Sequence, residues 1–293
     1  MSLERVVEVI KRSGELPTIG AVAAEVMRLA GDPSADFGKV AAAVENDPSL
    51  AAKVLRLANS PFYGLRGEVA SVERAVALLG MTQVRNIALS LSLIRDFSGA
   101  YGGETFRWDR FWEHSAGVAL IAETMTRLLR LPVSGTEYAA GLLHDVGKIL
   151  LGHHFPEEFG RCLDLAARRQ VSLWEVEPEV FGTHHAELGG WIAERWGFPA
   201  PLRGAIRYHH EPGEAGDEHG VAAVVHLADL FAKVKQIGFG GDRVAVCFAD
   251  DPAWAVLVER QPHLRVLDLA RFTLQLDQEV EMARALAKLG REP

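Results

Sequence analysis

The stretch GLLHDVGKILLGHH, Gly141 to His154, sets a histidine and an aspartate side by side inside an otherwise apolar run. The run has helical spacing and reads as a core helix. Burying His144 and Asp145 without partners is costly. What holds them, whether a hydrogen-bond network, a metal or a substrate, decides what the fold is built around.

Helical periodicity continues on both sides. Toward the N-terminus, Val6, Val7 and Ile10 make a short apolar face, and Val22, Val26 and Leu29 make the next. ENDPSLAAKVLRLANS offers Asp47 as a cap and Pro48 in the first turn. SPFYGLRGEV reads as a loop, after which Ser71 starts SVERAVALLG, closed by Gly80, and MTQVRNIALSLSLIRDF is a further helix. SGAYGG, around residue 100, is the best candidate linker. Beyond it, WDRFWEHSAGVALIAETMTRLLR, TEYAAGLLHDVGKILLGHH, PEEFGRCLDLAARR, HAELGGWIAERW, PAPLRGAIRYHH and GVAAVVHLADLFAKV all have helical spacing. GDRVAVCFADD, 241–251, is the one stretch with the character of a strand. The tail reads as one or two helices packing back on the body. The expected fold class is all-α: an N-terminal helical bundle over 1–100, a helical domain over 104–238 and a C-terminal helical extension over 239–293, or all three as one continuous unit.

Composition excludes several classes of function. The formal charge of −8 argues against general nucleic-acid binding and against an anionic membrane surface. Only two cysteines occur, Cys162 and Cys247, with no CxxC pair, so neither a cysteine-rich zinc site nor a disulfide framework is expected. That fits a reducing cytoplasm. MSLERVVEVIKRSGELP carries charges through its apolar positions, unlike a signal peptide. No uncharged run approaches the ~20 residues that span a bilayer. Neither a phosphate loop nor a GxGxxG fingerprint is present.

The chain has 11 histidines, and most lie in its second half. Five successive helical segments each carry a His or Asp in an apolar context: His114; His144 with Asp145; His184 with His185; His209 with His210; His226 with Asp229. A helix bundle builds metal sites from such side chains on facing helices. Imidazole and carboxylate without thiolate suit iron, manganese, nickel or zinc. The plainer alternative is a set of separate structural histidines, and it is the reading adopted for His153, His154, His219 and His263. Adjacent residues on a helix point about 100° apart, so one member of a doublet faces a given centre more easily than two. Spacing alone leaves metal and structural readings evenly balanced.

The phrases HS…GLLHDVGK…HAELGGWI…HH…HLAD resemble the HD superfamily of metal-dependent phosphohydrolases. More narrowly, LPTIGAVAAEVMRLA, VENDPSLAAKVLRLANSPFYGL, SVERAVALLGMTQVRNIALSLSL and ERWGFPAPLRGAIRYHH make residues 15 to 235 similar to an HDOD protein. The resemblance implies that His114, His144, Asp145 and Asp229 hold one divalent metal. By the pattern of the HD-GYP phosphodiesterases it implies that His185, His209 and His210 hold a second, with His184 a non-ligand neighbour. Lys148, four residues beyond His144, is expected on the same helical face, within reach of a phosphate. Two departures stand out: no Gly-Tyr-Pro segment follows HHEPGEAGDEHG, and Arg110 stands one turn before His114, where those enzymes carry a metal-bridging Glu. Arg110 is expected to point toward the centre and Glu113 elsewhere. Two functions follow from the resemblance. One is a cytoplasmic signal-transduction module with a His/Asp metal site, a nucleotide or phosphate ligand and a signalling protein partner. The other is an active metal-dependent phosphohydrolase, with Asp145 positioning water and Lys148 and Arg110 stabilising charge.

Overall fold

The computed structural model describes residues 1–30, 37–65, 67–98, 106–132, 134–239, 250–277 and 279–292. Local chemistry sets the helix starts. Ser2 caps α1 (Leu3–Ser13), which buries Val6, Val7 and Ile10. α2 (Ala21–Ala30) and α3 (Phe37–Glu45) follow. Asp47 accepts the Leu50 amide at 3.0 Å to start α4 (Pro48–Ala58), with Pro48 in the first turn. Asn59 then clasps Val69 through two hydrogen bonds of 2.8 and 2.9 Å, which closes the SPFYGLRGEV loop. Ser71 caps α5 (Val72–Leu79), and α6 (Met81–Ser98) ends this bundle.

The second half is organised around α7 (Trp108–Leu128), which is buried along most of its length. Around it run α8 (Glu137–Leu143), α9 (Val146–His154), α10 (Pro156–Arg169), α11 (Leu173–Phe181), α12 (His185–Arg195) and α13 (Ala200–Tyr208). α14 (His219–Val234) follows a short 3-10 segment and packs on α7 and α13. Residues 250–292 continue with α15 (Pro252–Arg260), α16 (Leu269–Gln275) and α17 (Glu279–Arg291). α17 returns to pack on both α6 and α7. Its end is held by Arg56 on Glu292 at 2.6 Å and by Lys53 on the Glu292 carbonyl. Its start is held by the Thr124 hydroxyl, which donates to Glu279 at 2.8 Å. One apolar core runs continuously from Val6 to Leu289.

The fold is all-α, and no strand occurs among the described residues. GDRVAVCFADD falls almost wholly outside those residues, as does most of the SGAYGG linker, so neither expectation meets a structure here. Two features differ from the sequence reading. α1 lies against α9 and α12 rather than inside the N-terminal bundle. The expected single helix through GLLHDVGKILLGHH is two helices, α8 and α9, broken at His144-Asp145. No helix among the described residues is long and apolar enough to cross a membrane.

Candidate metal centre

The break between α8 and α9 resolves the geometric difficulty of adjacent ligands. Asp145 leaves helical geometry (φ −96°, ψ 12°), and the His144 Nδ1–H bonds back to the Gly141 carbonyl at 2.7 Å. Two glycines bring this corner to its neighbours. A Cβ at Gly141 would lie 2.7 Å from the Ala119 backbone, so α8 sits directly on α7. A Cβ at Gly147 would collide with the His185 carbonyl oxygen, so α9 touches the first turn of α12. His144 is thereby set near His114, and Asp145 near His185.

Four of the five donor histidines, His114, His144, His185 and His209, share one pattern. Nδ1 of each is tied to a backbone carbonyl or a carboxylate: His114 to Ile237 at 3.2 Å, His144 to Gly141, His185 to Glu177 at 2.7 Å, and His209 to Ile206 at 2.9 Å. Donation from Nδ1 fixes the tautomer and leaves Nε2 directed inward as a lone pair. Those Nε2 atoms converge. His185 Nε2 lies 3.4 Å from His209 Nε2, 3.2 Å from His210 Nε2 and 3.1 Å from Asp145 Oδ1. His209 Nε2 is 3.6 Å from the same Oδ1. On the other side, His114 Nε2 is 2.9 Å from Asp229 Oδ1, and His144 Nε2 is 3.3 Å from Asp145 Oδ2 and 3.9 Å from Asp229 Oδ1. Two groups of donors can each reach a common point: Asp145, His185, His209 and His210; and His114, His144 and Asp145.

This donor set fits a divalent cation. Asp145 Oδ1 and His144 Nε2 are buried, and neither makes an aligned hydrogen bond, despite neighbours at 3.1 and 3.3 Å. Buried polar atoms left in that state call for an ion or a water. Ligand atoms about 2.1 Å from a metal stand roughly 3.0–3.4 Å apart at octahedral or tetrahedral angles. The separations around His185 match that range.

The charges are arranged to keep the two aspartates ionised and the His209 and His210 imidazoles neutral. Burial pushes the Asp145 carboxyl up, but His144 and Lys148 outweigh it and hold the group well below the usual 3.8. Asp229 is likewise held well below that value, burial being outweighed by Lys233 and His114. Burial drives His209 down to about 3, and burial with its histidine neighbours drives His210 well down too. Burial also presses on His185, yet the Glu177 carboxylate wins and moves it up.

Lys148 and Arg110 stand differently from expectation. Lys148 is buried, with Nζ 2.7 Å from Asp145 Oδ2. Arg110 pairs with Glu113 at 2.9 Å, and Glu113 in turn with Arg284 at 3.3 Å, so the guanidinium is directed to its own helix neighbour and not to Asp145. At (i, i+3) on α7 the two side chains meet, which the expectation that they diverge had missed. His184 stacks on Trp174 (centroids 3.4 Å apart), and Trp174 also lies 4.7 Å from the His210 ring. His153 pairs with Glu15 at 3.0 Å, with the His154 ring 4.6 Å from its own. His219 and His263 bond backbone carbonyls.

Two supporting residues, Glu177 and Lys233, escaped the sequence reading, and a third, His226, was named there only as a member of the His/Asp series. Glu177 grips both the ring and the amide of His185. Lys233 holds Asp229 Oδ2 at 2.9 Å. His226 bonds the His209 carbonyl at 2.5 Å and Asp251 at 3.2 Å. The Lys233 contact was readable from its (i, i+4) spacing. Glu177 lies on a separate helix and gave no local signal.

Fold and centre define a class: an all-helical protein that gathers a His/Asp donor set from five segments into its core. The comparison with known families makes it specific. Residues 16–212 match the HDOD domain, and the chain belongs to the HDOD family. It is similar over 98% of its length to an HDOD domain protein of unknown function from Geobacter sulfurreducens, with 27% identity, a TM-score of 0.83 and 98% of that chain covered. A candidate signal-transduction protein from Marinobacter aquaeolei is 26% identical with a TM-score of 0.74, over 99% of this chain and 65% of that one. An uncharacterized protein of Treponema pallidum is 23% identical over 208 residues, 71% of this chain. The match spans 40% of the length of that relative.

Proposed function

We propose that this chain is a cytoplasmic signal-transduction module whose core holds one or two divalent metal ions. His114, His144, Asp145, His185, His209, His210 and Asp229 are the ligands in this reading. The observation that carries it is the pair of buried, unaligned atoms, Asp145 Oδ1 and His144 Nε2, among imidazoles whose Nδ1 atoms are already committed. The likeness to the Marinobacter protein supports a signalling role. The donor chemistry suits iron, manganese, nickel or zinc.

A bound divalent ion supplies Lewis acidity toward a phosphoryl oxygen or a bound water. The chain's own residues do the rest. Glu177 orients His185, the Gly141 and Ile206 carbonyls orient His144 and His209, and Lys148 and Lys233 fix the outer oxygens of the two aspartates. A nucleotide or phosphate ligand would approach beside His210, the one member of its donor group that is not fully buried. The bundle of α2–α6 would pass the state of the centre to a protein partner, through the α17 seam that joins it to α7. The phosphohydrolase reading asks Lys148 and Arg110 to stabilise a phosphate. Lys148 is buried on Asp145 and Arg110 is on Glu113, which favours signalling over turnover.

Elemental analysis of protein purified without a histidine tag tests the reading. The expected content is on the order of one metal per chain, and less than about 0.2 would sink it. With Mn²⁺ or Fe²⁺ added, generic phosphodiesters and cyclic dinucleotides should show no turnover. Turnover that disappears in His144→Ala would instead establish the hydrolase.

A further inference from the structure

A cavity of about 730 Å³ lies between the segment that leads into α2 and the turn that joins α12 to α13, and none of the candidate metal ligands lines it. Leu16, Ile19 and Met27 form one wall, and Ile192, Phe198 and Leu202 form the other. Small-molecule sites have this size and this mostly apolar lining, with a few placed polar groups. Two of the polar groups here are engaged with the protein itself. Trp196 Nε1 donates to the Pro17 carbonyl at 3.0 Å, which ties the walls together, and the Thr136 hydroxyl lies 2.7 Å from that of Ser134. The charged lining has one sign. Among the described residues it consists of Arg28 and Arg195, without a carboxylate, in a chain whose formal charge is −8. The Arg195 guanidinium lies 5.7 Å from the Trp191 ring. Arg28 meets Glu25 at 2.6 Å, but both side chains are exposed, and such a pair contributes little, so a ligand carboxylate can compete for the guanidinium.

We propose that this cavity binds a straight-chain fatty acid, with the hydrocarbon between the two apolar walls and the carboxylate on Arg195 and Arg28. The walls call for an apolar body, and their aliphatic side chains suit a hydrocarbon chain. The two guanidiniums call for a single anionic head, since the planar fork of arginine matches a carboxylate. The placement gives the site a role. α12 begins at His185 and ends in one wall of the cavity; α13 begins beside that wall and ends at His209. A ligand held here joins the N-terminal segment to the far ends of two helices that deliver donors to the centre. It is an input site for a signalling module, and its existence does not depend on whether the centre holds a metal.

The test is calorimetric titration of the full-length, untagged protein with decanoate, decanol and decyltrimethylammonium, each below its micelle concentration. Decanoate should bind with one site per chain and raise the melting temperature. Decanol and the cation should bind at least about 10-fold more weakly, and Arg28→Gln with Arg195→Gln should cost decanoate about the same factor, the worth of a charge-assisted hydrogen bond. Ala24→Phe places a ring in the cavity from an exposed position on α2 and should abolish binding. Equal affinity for decanol or the cation, unchanged decanoate affinity in either folded variant, or no binding up to about 1 mM decanoate overturns the proposal. Circular dichroism reports folding, and the double arginine variant, altered only at exposed positions, decides the matter should Ala24→Phe not fold. Metal content enters none of these readouts, so the fatty-acid site and the metal reading fail separately.

Discussion

The N-terminal bundle and the half built on α7 bury very different chemistry. Among described residues up to 98, the buried polar side chains are Lys53, Asn86, Ser90 and Ser92, of which one is charged. From α7 to α14 they include Glu113, His114, Glu137, His144, Asp145, Lys148, Glu177, His185, His209 and Asp229. The bundle is held by apolar burial, which stabilises at about 25 cal/mol per Å². The second half sets charged groups in its interior, where a hydrophobic replacement of similar volume is often as stable. A fold that retains such groups retains them for something other than stability, and here all but Glu113 and Glu137 gather at one centre.

The comparison is broken most severely at Asp145. In metal-stripped protein, Asp145→Asn leaves Lys148 beside a neutral amide in a buried site, at an expected cost of about 3–5 kcal/mol. Asp145→Asn with Lys148→Met should return to within about 1 kcal/mol of the wild type, because the stranded charge is gone. Denaturant unfolding of the two singles and the double measures this. A single Asp145→Asn that costs nothing would mean the pair is not buried as described. Leu57→Ala in the bundle should cost roughly 2–5 kcal/mol through a cavity, yet leave metal content at the wild-type level. If it strips the metal, the two halves are not independent. Gly147→Ala should cost about 1–3 kcal/mol, because its Cβ collides with the His185 carbonyl, and it should also weaken metal binding by separating Asp145 from His185. Melting temperature and Mn²⁺ affinity report the two effects.

What the chain disclosed in advance follows from how local each signal is. Asp47 before Pro48, and Ser71 before an apolar period, are cap signals contained in a few residues, and both helices start there. The candidate donors could be named because each is a His or Asp alone in an apolar context. The break at His144-Asp145 could not, since the apolar period runs through it and the break is imposed by α7 and α12 against Gly141 and Gly147. Glu177 was silent because its partner His185 is on another helix. Arg110 was misdirected because a cation one turn before His114 faces the centre only if nothing nearer competes, and Glu113 does. α1 left the bundle because its apolar face is too generic to name its partner.

The smallest predicted effect sharpens the comparison through its sign. At the seam between the halves, burial pushes the Glu279 carboxyl above its ordinary 4.5, despite the Thr124 hydroxyl, and burial does the same to Glu123, despite Asn86. A carboxyl raised in the fold contributes stability that is full below pH 4.5 and is lost as pH rises through its folded value. The centre carries the opposite dependence. Asp145 and Asp229 are lowered, so their contribution is present above about pH 4 and lost as pH falls through their folded values. Glu279→Gln should therefore flatten the seam's share of the pH dependence, melting closer to the wild type near about pH 5 and no lower than it near about pH 8, by an amount under about 1 kcal/mol. Thermal melts of metal-stripped protein across that range check the sign. If Glu279→Gln is instead less stable than the wild type at about pH 8, Glu279 acts as a charged partner of Arg127, and the seam belongs with the ionic half of the molecule rather than the apolar one.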